Sequence, residues 1–339
     1  MHSSLLGQEV WKSYGSKMVA FVQLIHLFGA CVLYLILVAN CLEGFFPRML
    51  LTEKECMILA GVLVFPTAFL SNLSNIAWLS LTSIISINLV FVSLISYSVA
   101  NFGDWRFTTL PVASVRGTAI ACCIILFSYV AHPYLPKIEG SMKSPGQFKF
   151  IANIAFMIAT MTKLVFGLAL ACHYGDLTMQ RVTNNIESRN FMHVIDALLA
   201  LSGLFSFAMP TNVIMNIIQQ SNVEFIAKLF PLYRLKKIMS WGEKGIDLTM
   251  RVCLVCLSTV VAMFLPEFSL LMAIFGSVTA VCLVIIFPIH FYCVLKREKL
   301  SRNQLIFNYF VLVLFIGVGA VGFFYSVQAL ILSLQTSSI

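Results

Sequence analysis

Nine runs of this chain each approach or exceed the roughly 20 apolar residues that a helix needs to cross the hydrocarbon of a bilayer. They cover residues 17–42, 54–71, 80–101, 114–135, 148–172, 191–219, 249–265, 269–294 and 304–331. The links between them are short, so no soluble domain fits between spans. Of 339 residues, 60% are apolar and 11% charged, against roughly 25% charged in a soluble domain. One aqueous core cannot hide that much apolar surface, which excludes soluble enzymes, nucleic-acid binders and disordered scaffolds. The predicted class is an all-α polytopic membrane protein, with one transmembrane domain over 1–331 and a short lumenal tail, 332–339. The run 17–42 is too long for a cleaved signal peptide.

Orientation follows from the placement of Lys and Arg, which concentrate on the cytosolic side of membrane proteins. Of the 22 such residues, fifteen share a side with the N-terminus, among them Lys17, Lys137, Lys228, Arg234, Lys236, Lys237 and Arg251. Six lie opposite, namely Arg48, Lys54, Arg106, Arg116, Arg181 and Arg189, and Lys163 is inside a span. The N-terminus is therefore predicted to be cytosolic and the C-terminus lumenal. The net charge of +8 marks cytosolic loops rather than a nucleic-acid surface.

Most of the ten cysteines lie in apolar runs, where a thiol behaves as a small hydrophobe. Cys253 and Cys256 form a C-x-x-C without a second pair or a histidine, so no metal is expected. Cys41 and Cys56 flank one loop and can pair if it faces an oxidising lumen. No constellation of residues suited to a reaction is present, so an enzyme is not expected and no cofactor is implied.

Two spans carry residues that break helices. In LFSYVAHPYLPKIEGSM, 126–142, Pro133 and Pro136 each remove a backbone donor and clash with the preceding turn. A helix broken within a membrane is tolerated only where it lines a cavity or is buried in protein. Ser128, Tyr129, His132 and Tyr134 surround the break and can all form hydrogen bonds. Secondary transporters build substrate sites this way, gripping a zwitterion with the freed N–H and C=O groups of half-helices. The other reading is a helix that ends at the cytosolic interface. The second place is GLFSFAMPTN, 203–212, where Gly203 and Pro210 fit a packed kink or a gate. The small residues of GSVTA, 276–280, fit helix packing.

A lysine at the centre of a bilayer costs about 2.5–3.5 kcal/mol, so Lys163 must face protein or a wet cavity. Asp196 is five residues into its span and is expected to reach water. His26 and His290 read as core histidines rather than proton relays.

FSYVAHPYLPKIEGSMKSP at 127–145, CHYGDLTMQRVTNNI at 172–186, SFAMP at 206–210, LTMRVCLV at 248–255 and LPEFSLLMAIFGSVTA at 265–280 resemble the amino acid/auxin permease family. The resemblance extends over 10–331 and is strongest to the vesicular inhibitory amino acid transporter branch. It implies a leucine-transporter-type inverted repeat of five plus five helices and movement of amino acids coupled to protons. By motif the chain resembles family helices three to eleven, an N-terminally incomplete version of the fold with about nine spans. The resemblance assigns Phe127, Ser128, Tyr129 and His132 to the substrate and Pro133, Pro136, Gly203 and Pro210 to helix breaks or gating. Lys163 and Glu139 are candidates for coupling.

The function these features imply is secondary active, proton-coupled transport of neutral or inhibitory amino acids such as GABA or glycine in a vesicle or vacuolar membrane. Its partners are the amino acid, protons and the bilayer, with no nucleic acid and the oligomeric state left open. The alternative is a truncated paralogue that does not transport and serves as a membrane partner subunit. Because the family holds its ligand between two broken helices, the resemblance implies that 1–339 alone would not transport and that two upstream helices would restore uptake.

The topology makes a direct prediction. The sequon Asn72-Leu73-Ser74 faces the cytosol and stays unglycosylated, an N-terminal tag is accessible on the cytosolic face of intact vesicles and a C-terminal tag is protected in the lumen. A C-terminal tag reached by antibody from the cytosolic side would overturn the map.

Overall fold

The computed structural model describes residues 2–46, 50–70, 72–110, 113–179, 181–220 and 243–337. Among them there is no strand, and helices follow one another along the chain. They are α1 (His2–Phe45), α2 (Glu53–Ala68), α3 (Leu73–Ala100), α4 (Val115–Ser128), α5 (Leu135–Ser141), α6 (Phe148–Tyr174), α7 (Arg189–Ser206) and α8 (Ala208–Gln220). Then come α9 (Glu243–Phe264), α10 (Phe268–Leu295) and α11 (Arg302–Ser337). Seven segments are long and apolar enough to span a membrane. Of the nine expected spans, 54–71 and 114–135 correspond to shorter helices of 16 and 14 residues. The expected tail continues α11 as far as Ser337. Residues 338–339 and the cations Lys228, Arg234, Lys236 and Lys237, expected on the cytosolic side, lie outside the described residues.

The distribution of polarity is that of a protein dissolved in lipid. Along α6, Met157, Ile158, Met161, Leu164 and Leu168 are exposed, and along α11 Phe307, Phe310 and Val313 are. Ser83, Ser86, Ser98, Ser258 and Ser326 are buried. In water, apolar faces of that extent would drive aggregation. In hydrocarbon they cost nothing, while the hydroxyls turn inward to find partners.

Two compact units form. One comprises Tyr34–Ala113 and Ile138–Ala208. In it the Ser83 hydroxyl on α3 lies 3.0 Å from the Ser202 carbonyl and 2.7 Å from the Ser206 hydroxyl on α7. The Ser98 hydroxyl donates to the Ala169 carbonyl on α6 at 3.0 Å. Val90, Leu94, Leu170 and Ile195 fill the space between these helices. Gly203 sits where α7 meets α1, and a Cβ there would lie 3.0 Å from Val38. Thr52 and Glu55 cap α2 reciprocally, each side chain accepting from the other's backbone N–H. Asp196 does not reach water as its position suggests. It is 1% exposed, and Arg181 donates to its Oδ1 at 2.9 Å and to the Asn40 carbonyl at 2.6 Å. The loop after α6 folds back over the start of α7, so the arginine covers the carboxylate.

The other unit comprises Met1–Leu33, Ser114–Lys137 and Met209–Ile339. Here α4, α10 and α11 approach through small residues. A Cβ on Gly276 would collide with the Cys123 carbonyl oxygen, and one on Gly319 would lie 2.9 Å from the Ser277 carbonyl. Within α10, residues Gly276–Ile286 are wound as a π-helix, the wide turn often found at functional sites. Arg251 is 4% exposed and donates to Asp247 at 2.7 Å and to Asn212 at 3.2 Å. All ten cysteines, Cys41 and Cys56 included, are free thiols.

Removing one member of a buried ion pair strands the other and costs about 3–5 kcal/mol. Arg181→Ala should therefore lower the unfolding midpoint of the detergent-purified protein clearly, with the Ser98→Ala protein losing less. Equal thermal stability of Arg181→Ala and the native protein would show that the pair is solvated.

Candidate functional site: the interrupted span

A 14-residue helix is ~21 Å long at 1.5 Å per residue, and the hydrocarbon is ~30 Å thick. Starting from its N-cap Ser114, whose hydroxyl accepts from the Gly117 N–H at 3.0 Å, α4 is therefore too short to cross it alone. It stops at Ser128, and helical structure resumes only at Leu135. The proline pair explains the gap. Pro133 has no N–H to continue the ladder, and Pro136 occupies the first turn of α5, where a missing donor is tolerated.

Most of the backbone groups released by the break are satisfied locally. The Tyr129 N–H donates to the Leu126 carbonyl at 3.1 Å and the Val130 N–H to the Phe127 carbonyl at 3.3 Å. The Ser128 hydroxyl donates to the Ile125 carbonyl at 2.8 Å. Beyond them, Ala131, Tyr134, Leu135 and Lys137 donate to carbonyls two to four residues back. Tight turns thus close over the break and take up the N–H groups expected to be free there. The unsatisfied polar group here is a side chain. His132 Nδ1 is buried without a hydrogen-bond partner.

The residues around the break come together within one unit. Val130 is buried with Val19 of α1 and with Ala280, Leu283 and Phe287 of α10. The Phe127 ring packs on the ring of His26 from α1, centroids 4.6 Å apart. His26 Nδ1 lies 3.0 Å from the Thr279 hydroxyl. Pro210 is in the same unit, two residues into α8, where the span Arg189–Gln219 is interrupted at Phe207. Glu139, Lys163 and Gly203 belong to the other unit. Lys163 is half-buried in the middle of α6. Sequence reading missed the link from His26 to Thr279 and the pair Arg181–Asp196. The partners of the first are 253 positions apart, and no local pattern announces either.

A separate cavity of about 450 Å³ lies among Phe28 of α1, Ile214 of α8 and Met250 and Leu254 of α9. Its lining is apolar, so it offers a zwitterion nothing to bind. Among the described residues no group of His, Cys, Asp and Glu could hold a metal ion.

Discontinuous apolar helices of this kind are what secondary transporters build their sites from. Comparison with known proteins gives the family. Residues 6–332 match the model of the family described as transmembrane amino acid transporter protein, and the chain belongs to that family. It is 29% identical over 324 residues to a vesicular inhibitory amino acid transporter of Xenopus tropicalis, covering 94% of this chain and 61% of the relative. The human protein of that name is 28% identical over 96% of this chain and 61% of its own length. A vesicular GABA transporter of Caenorhabditis elegans is 24% identical over 97% of this chain and 67% of its own length. The chain thus spans about three fifths of the length of the vertebrate relatives it matches.

Gly276 tests how tightly the break is held. A Cβ there would meet the Cys123 carbonyl carbon at 2.8 Å and Phe127 Cβ at 3.2 Å, just ahead of the break. Gly276→Ala should cost about 1–3 kcal/mol through overpacking, read as a lower unfolding midpoint in detergent. An unchanged midpoint would mean that α4 and α10 can separate freely.

Proposed function

We propose that the protein carries amino acids across a vesicle or vacuolar membrane by proton-coupled secondary transport, with neutral or inhibitory amino acids such as GABA or glycine as substrates. The observation that carries this reading is the early end of α4 at Ser128, in an apolar run and four residues before His132, whose Nδ1 is buried with no partner. The printed names of the relatives support the substrate class.

In this reading the amino acid sits against the break. The lone pairs of the Ser128 oxygen accept from the ammonium, since its own proton is already given to Ile125. His132 faces the carboxylate, and Phe127 and Tyr129 close the apolar side. Pro133 and Pro136 keep the break open, while Pro210 and the Gly203 contact set the kink of the span Arg189–Gln219. Lys163 and Glu139, both in the other unit, stay candidate charged groups for proton coupling. The five-plus-five inverted repeat, a cytosolic N-terminus and a lumenal C-terminus belong to the same proposal.

The test is uptake of radiolabelled glycine and GABA, with a proton gradient imposed, into vesicles from cells expressing the chain joined to two upstream helices of a relative, the form in which uptake is expected. Uptake that collapses when the gradient is dissipated is expected. Ser128→Leu should abolish it with membrane insertion intact, because the added bulk fills the site without adding charge. Normal uptake by the Ser128→Leu protein would place the ligand elsewhere, and no uptake of either probe by the correctly inserted extended protein would overturn the substrate assignment.

A further inference from the structure

His26 is 3% exposed on α1 and is hydrogen-bonded through Nδ1 to the Thr279 hydroxyl at 3.0 Å. A hydroxyl has one proton to donate and two lone pairs with which to accept. The Thr279 proton is already committed, at 2.6 Å, to the Phe275 carbonyl one turn back in α10. Thr279 can then only accept from His26, so the hydrogen of the neutral imidazole resides on Nδ1. This is the reverse of the tautomer a free imidazole favours, and it leaves Nε2 as a bare basic nitrogen. Which nitrogen of a histidine is protonated is set by the bond the other one makes.

The surroundings of that nitrogen are sparse in charge. On α1, Lys17 is more than two turns away, and Cys31 turns to the Thr211 hydroxyl at 4.0 Å. From α4 the residue in contact is Phe127, and the charged residue of that helix, Arg116, is at its far end. Between Glu267 and Lys296, α10 has no charged residue and one other histidine, His290, which packs on Trp11 at 5.1 Å. Five residues beyond Phe127 in the same unit, His132 buries an Nδ1 without a partner.

We infer that His26 is a proton-binding site beside the break, in which Thr279 fixes its tautomer so that the proton is taken up at Nε2. Thr279 acts as the positioning residue. As the place where the coupling proton binds, this site rests on the transport reading above, but the fixed tautomer does not.

The experiment has two arms. In the first, the native protein carrying ¹⁵N-labelled histidine is examined by NMR in lipid nanodiscs, the His26 signals being assigned by their loss in His26→Gln. The native protein should show an Nδ1–H tautomer that gains a second proton on acidification, and Thr279→Val should return the ring to Nε2–H. An Nε2–H tautomer in the native protein, or a tautomer unmoved in Thr279→Val, overturns the site.

The second arm is the pH profile of glycine and GABA uptake by the extended protein. Thr279→Val removes the acceptor that stabilises the imidazolium, so its profile should move to more acidic pH. Whatever its rate, the His26→Gln protein should lose the acid-dependent part of the profile. A native profile retained in both variants overturns the coupling role while the NMR arm still decides the proton site. If the extended protein takes up neither probe, the transport reading fails and the ring titration judges the site by itself.

Discussion

Hydrocarbon offers no hydrogen bonds, and each backbone group left unpaired there costs several kcal/mol. A chain that interrupts a helix inside the bilayer must therefore satisfy those groups by other means or be covered by protein. This one does both. The turns from Tyr129 to Lys137 direct six N–H groups to nearby carbonyls, and Val130 is packed among residues of α1 and α10. The backbone of the break is thereby made nearly inert, which leaves the chemistry to side chains.

Polar groups elsewhere obey the same constraint. Ser83, Ser202 and Ser206 bond one another between α3 and α7, and Arg181 spends its donors on Asp196 and the Asn40 carbonyl. Interhelical bonds of this kind contribute about 0.6 kcal/mol each on average, so no single one holds a helix pair. Close backbone approach does more. Gly276 and Gly319 let α4, α10 and α11 meet at distances where any Cβ would collide, and the dispersion gained over such contacts adds up. Among the described residues a few side-chain atoms are buried without a partner, such as His173 Nδ1, the Tyr174 hydroxyl and Asp196 Oδ2, and His132 Nδ1 is the one that lies at the break.

Hydropathy alone located the helices well. The expected run 148–172 became Phe148–Tyr174, and 269–294 became Phe268–Leu295. The break was visible because proline acts locally, through its own ring and its missing N–H. What the residues could not show was how the break would treat its backbone, since composition does not reveal which carbonyl a turn will reach. Long-range pairing was equally hidden. Asp196 lies close to the end of its run and so looked accessible, but the loop carrying Arg181 folds over it. His26 looked like core because it lies in an apolar run, and it is core by burial. Its significance depends on Thr279, and Thr279 matters because its proton is already given to Phe275.

The arrangement bears on how a proton and an amino acid could be coupled. A zwitterion carries no net charge, so a neutral site gains little by holding it and a charged one gains only by facing the right end. At an effective dielectric constant of about 20, an imidazolium and a carboxylate about 4 Å apart attract by about 4 kcal/mol. At 1.4 kcal/mol per power of ten, that is close to a thousandfold in affinity. Linkage makes the effect reciprocal: a proton on a histidine there would strengthen binding of the carboxylate by the same factor as the carboxylate raises affinity for the proton. Under the inference drawn above, His26 accepts the proton, and the break that packs on it through Phe127 is where Ser128 would hold the ammonium. Both ligands are then recognised at one interruption of one helix. Coupling needs no relay across the protein, because the two charges meet where the helix stops.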